Sequence, residues 1–333
     1  MGVPFRVGVT RDIRTAEGGS VYPLTPLANA EEVSWEFVRE DAEELLPTYV
    51  EGFDAVIVFG ARVTSATLDC PEPPVLFARL GVGYDTVDVA ACTASGTLVT
   101  ITPDGVRRPM AAGAMAFLLA LAHRLTEKDR LVRSGSWDRF ACIGTGLTGR
   151  TLGILGLGNI GRDLCRLAEP FGLRRIACDP FVEPFDDVSL VDLERLLRES
   201  DFVCVTLPLT AETYHLLDAE RLALMKPGAY VINVARGPIV DQQALSAALA
   251  KGQLAGAALD VFEEEPLDAT DPLLQLGNVV LAPHAIGLTD ELFAESARSA
   301  CESVLAVAEG RAPHYIVNPE ALEHPRLRTR LRQ

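Results

Sequence analysis

Short apolar runs alternate with helical patterns along most of this 333-residue chain. That rhythm is the signature of βαβ units, in which crossover helices connect parallel strands. It predicts an α/β protein, and the length is sufficient for two domains with a core in each. The predicted strands cover residues 6–10, 55–59, 75–80, 97–101, 151–155, 175–179, 202–207, 230–234, 257–261 and 279–282.

A break near residues 102–105 separates the first four predicted strands from the others. The sequence Thr-Pro-Asp-Gly at this place disfavours a continued strand or helix, so it predicts a linker. We predict that an apolar helix follows over residues 109–125, with Pro109 in its first turn. A stretch rich in Arg, Ser and Gly then occupies residues 130–149.

Composition and charge argue against several classes of function. The 30 Lys and Arg against 46 Asp and Glu give a net charge of −16, which repels nucleic acid. The longest apolar run, residues 110–122, is too short to span a bilayer, and the first ten residues lack the pattern of a secretory signal. The seven Cys show no metal-ligand spacing and suit reduced thiols. We expect a cytoplasmic protein with no metal, nucleic-acid or membrane partner.

A glycine-rich turn follows the fifth predicted strand. Residues 151–161 read TLGILGLGNIG, which places Gly156, Gly158 and Gly161 between a strand and a helix. In this pattern the first glycine permits a tight turn and the second admits a pyrophosphate. The third lets the helix pack on the strand, and the helix N-terminus attracts phosphate. The motif predicts dinucleotide binding; a structural turn without a ligand is the alternative.

Asp179 ends the next predicted strand, 18 residues after Gly161. A carboxylate at this place accepts hydrogen bonds from the adenosine ribose hydroxyls and repels a 2′-phosphate. Pro180 and Phe181 follow it in place of a basic residue. The expected cofactor is therefore NAD and not NADP.

Three ionisable residues follow the ends of successive predicted strands: Arg236, Glu265 and His284. Open parallel sheets bind ligands beyond the carboxyl ends of their strands. The guanidinium can bind a carboxylate with two hydrogen bonds, and the imidazole can exchange a proton with a substrate oxygen. The carboxylate can fix the imidazole tautomer. The trio predicts reversible reduction of a carbonyl next to a carboxylate; the alternative is three ordinary surface or turn residues.

Five motifs make the sequence resemble the D-isomer-specific 2-hydroxyacid dehydrogenases over nearly its whole length. They are GVGYDTVD at residues 81–88, TLGILGLGNIG at 151–161, LMKPGAYVINVARGPIVDQQAL from residue 224, ALDVFEEEP from residue 258 and NVVLAPHAIGLTDE from residue 278. The resemblance implies that Arg236, Glu265 and His284 are the catalytic residues.

The resemblance also implies further contacts. The N–H groups of Val82 and Gly83 would bind the substrate carboxylate, and Asp260 would contact the nicotinamide carboxamide. Leu207 stands where the family usually has Thr. Other positions that line the cofactor in the family fall on Asn159, Ile160, Leu207, Pro208 and Ala235.

The fold implied by the resemblance has two doubly wound parallel-sheet (Rossmann-like) lobes with the active site in the cleft between them. Residues 1–103 and 289–333 would form the substrate-binding lobe, and residues 104–288 the NAD-binding lobe. The apolar helix and residues 130–149 resemble the family's dimer contact, which predicts a homodimer. A core helix inside one subunit is the alternative.

One segment departs from the family's pattern. Residues 105–114 read GVRRPMAAGA, with Arg107 and Arg108 in a segment that borders the cleft in the family. We hypothesise that one of these arginines binds a second acidic group of the substrate, such as a phosphonate, a phosphate or a carboxylate. The alternatives are a contact with the cofactor's phosphate side, with an acidic helix or with solvent.

The expected function is the NAD-dependent reduction of a small 2-oxoacid, or the reverse oxidation of a D-2-hydroxyacid. A non-catalytic NAD-sensing protein, similar to the corepressors that share this fold, is the alternative. The presence of Arg236, Glu265 and His284 favours the enzyme, because a sensor needs no proton donor.

Overall fold

A computed structural model describes residues 4–331 of the chain. Residues 1–3 and 332–333, the two outer ends of the predicted substrate-binding lobe, lie outside this range. The prediction that the first ten residues are not a secretory signal therefore lies partly outside the described residues. The strands are β1 Phe5–Val9, β2 Val33–Phe37, β3 Ala55–Val58, β4 Leu76–Arg79, β5 Leu98–Thr100, β6 Thr151–Leu155, β7 Arg174–Cys178, β8 Ser189–Leu190, β9 Phe202–Val205, β10 Tyr230–Asn233, β11 Gly256–Leu259 and β12 Val279–Leu281. The α-helices are α1 Thr25–Ala28, α2 Pro47–Val50, α3 Val89–Ser95, α4 Pro103–Ala122, α5 Leu125–Arg133, α6 Asn159–Ala168, α7 Leu193–Glu199, α8 Ala219–Leu224, α9 Gln242–Ala250, α10 Asp290–Ala308 and α11 Pro325–Arg330.

The described residues form two compact units. The discontinuous unit comprises the residues up to Val106 and those from Thr289 onwards, and the central unit is Arg107–Leu288. The sequence places the boundaries after residues 103 and 288, so the first observed boundary falls three residues later, within α4. Substrate binding by the discontinuous unit stays a prediction.

The discontinuous unit contains a five-stranded parallel sheet in the order β2-β1-β3-β4-β5. The edge strand β2 is absent from the sequence-based prediction. Its residues, VSWEF, alternate between half-buried and exposed positions, so they form no continuous apolar run. Strands β3 and β5 are buried throughout, as is typical of strands covered on both faces.

The central unit contains a seven-stranded parallel sheet in the order β12-β11-β10-β9-β6-β7-β8. Alternate residues of β6 point to opposite faces: Leu152 and Ile154 pack in one core cluster and Leu155 in another. Helices therefore cover both faces of the sheet. The strand order reverses between β6 and β9, which is where sheets of this type bind ligands beyond their carboxyl ends.

The predicted linker at residues 102–105 and the predicted helix at 109–125 are wrong in their bounds. A single helix, α4, runs from Pro103 to Ala122 with Pro109 inside it. Proline suits the first position of a helix, so Pro103 begins α4 rather than preventing it. A Cβ atom on Gly105 would overlap the backbone and side chain of Ser296 in α10, so this glycine serves close packing and not a turn. Arg124 has a φ of +51° and separates α4 from α5.

Within the described residues, α4 is the one helix whose length and hydropathy would suit a membrane span, but 61% of its most apolar window is buried in the protein. Ala111, Met115, Leu118 and Leu121 pack in the core of the central unit. The alternative of an internal core helix therefore describes α4. Exposed apolar side chains occur in the segment that follows it, at Leu125, Val132, Trp137, Phe140 and Ile143.

Candidate active site

The glycine-rich turn after β6 forms an open cradle. Gly156 has a φ of +94°, a conformation that favours glycine, and a Cβ atom there would lie 2.7 Å from the Leu207 backbone. A Cβ atom on Gly161 would overlap the carbonyl oxygen of Gly156. Gly158 is exposed, and a Cβ atom on it would meet nothing within 4 Å. The first and third glycines thus serve packing, and the second leaves space for a ligand.

The residues around this cradle fit NAD. The N–H groups of Asn159 and Ile160, in the first turn of α6, have no acceptor within the helix and are suited to phosphate. The Oδ2 atom of Asp179 accepts a hydrogen bond from the Leu157 N–H at 2.8 Å, and its Oδ1 atom accepts one from the Phe181 N–H at 3.0 Å. Each carboxylate oxygen keeps a second lone pair, so Asp179 can still accept ribose hydroxyls.

The remaining predicted cofactor positions lie beyond the ends of neighbouring strands. After β9, Leu207 packs against Gly156, and the carbonyl of exposed Pro208 accepts a hydrogen bond from the Thr213 hydroxyl at 2.8 Å. After β10, the N–H of Ala235 donates to the Asn233 side chain at 3.1 Å. The structure thus places these residues at the same edge of the sheet as the cradle.

Arg236, Glu265 and His284 follow β10, β11 and β12, which are adjacent in the sheet. The Nδ1 atom of His284 lies 2.7 Å from the Oε2 atom of Glu265. Their side chains are 48% and 36% exposed, so the pair is accessible without being fully solvated. The structure therefore brings the predicted catalytic residues Glu265 and His284 into direct contact.

Asp260 fixes the turn that carries His284. Its carbonyl accepts the His284 N–H at 2.7 Å, and its Oδ1 atom accepts the N–H groups of Ala285 and Ile286 at 2.7 and 2.9 Å. Burial raises the pKa of the Asp260 carboxyl in spite of these two hydrogen bonds. The contact of Asp260 with a nicotinamide carboxamide stays a prediction, and its observed contacts position the imidazole.

Local electrostatics keep Glu265 ionised. Burial raises the pKa of this carboxyl, but hydrogen bonds from His284 and the Phe262 N–H oppose that effect, as do the charges of His284 and Arg236. The net result is a pKa below the usual value of 4.5. At neutral pH an anionic carboxylate therefore contacts the imidazole, and the guanidinium charge of Arg236 acts on the same group.

Arg236 is held by contacts that the sequence alone did not indicate. The Asn233 side chain donates to the Arg236 carbonyl at 2.9 Å, and the Nη1 atom of Arg236 donates to the Ala235 carbonyl at 2.7 Å. A Cβ atom on Gly237 would overlap the backbone between Phe262 and Glu263. A buried Asn at the end of an apolar strand is the signal that could have pointed to this role.

Val82 and Gly83 lie in the discontinuous unit, in the loop after β4. Neither N–H has a hydrogen-bond acceptor among the residues that the structure describes. The Nε atom of Arg79, another residue missed in the sequence, donates to the Gly83 carbonyl at 2.8 Å. The Gly81 N–H donates to the Thr102 hydroxyl at 2.8 Å. This loop presents two N–H donors that can bind an anion.

Arg107 and Arg108, the two arginines hypothesised to bind substrate, are both exposed. The Nη2 atom of Arg108 also lies 3.1 Å from the Oδ1 atom of Asp163 in α6. A contact of either arginine with substrate stays a prediction.

The cradle, the Asp179 carboxylate and the imidazole–carboxylate pair fit a dinucleotide-dependent oxidoreductase. The family model described as "D-isomer specific 2-hydroxyacid dehydrogenase, NAD binding domain" matches residues 115–285. A glyoxylate reductase of Korarchaeum cryptofilum is 44% identical over 298 residues, which cover 87% of this chain and 90% of that protein. A glyoxylate reductase of Thermococcus onnurineus is 39% identical over 300 residues, with 86% and 90% covered.

A solved structure shows the same fold. The D-lactate dehydrogenase of Aquifex aeolicus, in complex with NAD and lactic acid, matches with a TM-score of 0.81 at 28% identity, over 91% of this chain and 96% of that one. The chain belongs to the D-isomer specific 2-hydroxyacid dehydrogenase family. It is an NAD-dependent oxidoreductase that acts on 2-hydroxy acids, and the predicted α/β class with two doubly wound parallel sheets is confirmed.

Proposed function

We propose that this enzyme reduces glyoxylate, or a similarly small 2-oxoacid, with NADH, and that Arg236, Glu265 and His284 carry out the reaction. The observation that carries the proposal is the 2.7 Å contact between Nδ1 of His284 and Oε2 of Glu265. This contact commits Nδ1 to the carboxylate, so Nε2 is the nitrogen that can exchange a proton with substrate.

Binding of the substrate requires recognition of its carboxylate. The Arg236 guanidinium can form two parallel hydrogen bonds to it and polarise the adjacent carbonyl. In the discontinuous unit, the N–H groups of Val82 and Gly83 are also proposed to bind a carboxylate, because they have no acceptor among the described residues. Bound NADH supplies a hydride to the carbonyl carbon, and NAD⁺ accepts it in the reverse direction.

Proton transfer falls to His284. In the reductive direction its imidazolium donates the Nε2 proton to the oxygen that becomes the hydroxyl, a role that contributes about 10²–10⁴-fold in other enzymes. Anionic Glu265 orients the ring and stabilises the imidazolium before transfer. In the oxidative direction the neutral imidazole accepts the hydroxyl proton at Nε2, while its Nδ1–H group keeps donating a hydrogen bond to the Glu265 carboxylate.

The choice of a small monoanionic substrate has two supports. The relatives that match over most of this chain are glyoxylate reductases. Arg108, which could bind a second acidic group of the substrate, already forms an ion pair with Asp163. We therefore place glyoxylate ahead of 2-oxoacids with a phosphonate, phosphate or second carboxylate.

The proposal is tested by NADH oxidation with a panel of glyoxylate, hydroxypyruvate, pyruvate, oxaloacetate and phosphonopyruvate. We expect the highest kcat/KM with glyoxylate or hydroxypyruvate. A dianionic acid as the best substrate would overturn the monoanionic assignment. No turnover with any member of the panel, in a protein that binds NADH tightly, would overturn the proposed reaction.

We also propose that two copies associate through residues 125–143. The exposed side chains of Leu125, Val132, Trp137, Phe140 and Ile143 lie in this one segment, an unusual density of solvated apolar groups. Analytical ultracentrifugation should show a dimer for the wild type and a monomer for a Trp137→Ser/Phe140→Ser variant. A monomeric wild type would contradict the proposal.

We propose that the protein is cytoplasmic, because none of its cysteines forms a disulfide bond. All seven are unpaired, and burial raises the pKa of the Cys92, Cys165 and Cys301 thiols to about 12. A reducing compartment suits such thiols. Cell fractionation tests this location.

A further inference from the structure

A second histidine contacts the segment that carries Glu265. The Nε2 atom of His215 lies 2.9 Å from the Oε1 atom of Glu263, two residues before Glu265. The backbone of His215 has a φ of +49°, which a non-glycine residue rarely adopts. Its N–H donates to the Pro238 carbonyl at 2.8 Å, and its ring stacks on Tyr214 with centroids 4.1 Å apart. Three contacts thus maintain an unfavourable conformation.

Glu263 is also tied to the start of α9. Its Oε1 atom accepts the Gln242 N–H at 3.0 Å, and its own N–H donates to the Gln242 side-chain oxygen at 3.1 Å. Gln242 in turn donates from its side-chain nitrogen to Asp271 at 2.7 Å. The Oε1 atom of Glu263 therefore contacts two separate segments, at His215 and at Gln242. The two hydrogen bonds exchanged between Glu263 and Gln242 fix the backbone of Glu263.

Glu263 joins three segments that border the site. Residues 208–215 include Pro208, residues 236–242 begin with Arg236, and residues 262–265 end with Glu265. The backbones of the last two segments are in close contact, because a Cβ atom on Gly237 would overlap the backbone at residues 262–263. A displacement of Glu263 would therefore move the backbone that carries Arg236 or Glu265.

We propose that His215, Gln242 and Glu263 form a positioning cluster that sets the spacing between Arg236 and Glu265. None of the three is needed to bind substrate or to transfer a proton. His215 and Glu263 are each about one-third exposed, so their contact adds little to overall stability. A misplacement of about 1 Å in a catalytic group can nevertheless cost about 10²-fold in rate. The cluster therefore acts on turnover more than on folding.

The test compares Glu263→Ala, His215→Ala, their double variant and Glu263→Gln with the control Glu264→Ala. Glu264 is exposed and adjacent in sequence, so its loss changes the net charge in the same way. We expect Glu263→Ala to lower kcat about tenfold or more and to raise the isotope effect of deuterated NADH on kcat, with Tm nearly unchanged. The double variant should lose no more than Glu263→Ala alone, and Glu263→Gln should recover most of the rate because the amide oxygen still accepts both donors.

Three results would overturn the inference: a kcat of Glu263→Ala within twofold of wild type, an equal loss in Glu264→Ala, or no recovery in Glu263→Gln. The inference rests on the proposed roles of Arg236 and Glu265, so a crystal structure of Glu263→Ala gives a readout that needs no substrate. A displaced segment 262–265 supports the positioning role, and an unchanged one contradicts it, whatever the substrate panel shows.

Discussion

The Nδ1 atom of His284 lies 2.7 Å from the Oε2 atom of Glu265, and it reaches this place from a left-handed backbone with a φ of +53°. Such a conformation costs about 1–3 kcal/mol in a non-glycine residue and persists only where its surroundings hold it. Asp260 supplies that restraint through its carbonyl and its Oδ1 atom. The strained turn is therefore part of the arrangement that directs the imidazole toward Glu265.

Replacement of His284 by Asn should remove the proton donor without altering the turn, because Asn tolerates the left-handed conformation. We expect kcat for 2-oxoacid reduction to fall by about 10²–10⁴-fold, the usual contribution of a general acid. The Kd of NADH, measured by fluorescence, should stay within about twofold because the cradle around Gly158 is separate from this side chain. A loss in kcat below tenfold would show that another group supplies the proton.

Glu265→Gln should lower activity and change the pH dependence of stability. Without the carboxylate the imidazole ring loses the acceptor that orients it, so kcat for 2-oxoacid reduction should fall as well. The pKa of Glu265 is lowered on folding, so its ionised form stabilises the protein above the unfolded value of 4.5, and that contribution is lost as pH falls through the folded pKa. The free energies of unfolding of variant and wild type should therefore differ by a constant amount above about pH 4.5 and converge below it. Parallel curves throughout would contradict the linkage.

Arg236→Lys should preserve the charge at this site but lose the planar fork that binds a carboxylate with two hydrogen bonds. We expect KM for glyoxylate to rise about tenfold or more and kcat to fall as well, because the carbonyl is less well oriented. The KM for NADH should change much less. Steady-state kinetics with each substrate varied in turn will separate these effects, and a purely NADH-dependent defect would place Arg236 on the cofactor instead.

Asp179→Ser should relax the preference for NADH. The carboxylate accepts N–H groups from Leu157 and Phe181, and its charge would repel a 2′-phosphate. We expect the ratio of kcat/KM for NADH to that for NADPH to fall at least tenfold. Asp179→Glu, which keeps the charge, is the matched control and should keep the preference for NADH; equal loss in both variants would assign the effect to the loop rather than to charge.

Local patterns were sufficient to predict the strands of the central sheet other than the two-residue edge strand β8, and the positions of the trio. Each of these strands is a short apolar run, and a parallel arrangement places their ends at one edge, so Arg236, Glu265 and His284 could be grouped without coordinates. The edge strand β2 and the true start of α4 could not be predicted in this way. β2 alternates polar and apolar residues, and Gly105 indicates a turn until α10 is seen packed against it.

Several contacts of polar side chains could not be predicted from the sequence. Asn233 and Arg79 bond backbone carbonyls only three and four residues further on, which depends on the local turn. His215 contacts Glu263, which is far away in the sequence. No spacing rule signals such a contact, because hydrogen-bond partners far apart in sequence leave no periodic pattern. The same limit applies to the ion pair of Arg108 with Asp163, which lies on a different helix.

Arg108→Ala should therefore act on stability and not on substrate choice. The Asp163 side chain is only 3% exposed, and its Oδ2 atom is buried without a hydrogen-bond partner among the described residues. Loss of the arginine leaves a buried carboxylate unpaired, at a cost of about 1–3 kcal/mol. Chemical denaturation should show this loss, and Arg108→Ala/Asp163→Asn should recover much of it.

The control for this prediction is Arg107→Ala, which removes the same charge from an exposed neighbour. We expect it to leave the free energy of unfolding within about 0.5 kcal/mol of wild type, as is usual for surface substitutions. With either variant, kcat/KM should change by the same factor for glyoxylate and oxaloacetate. A selective loss with oxaloacetate in Arg108→Ala would mean that the guanidinium leaves Asp163 to bind the second carboxylate, and in Arg107→Ala it would assign that contact to Arg107.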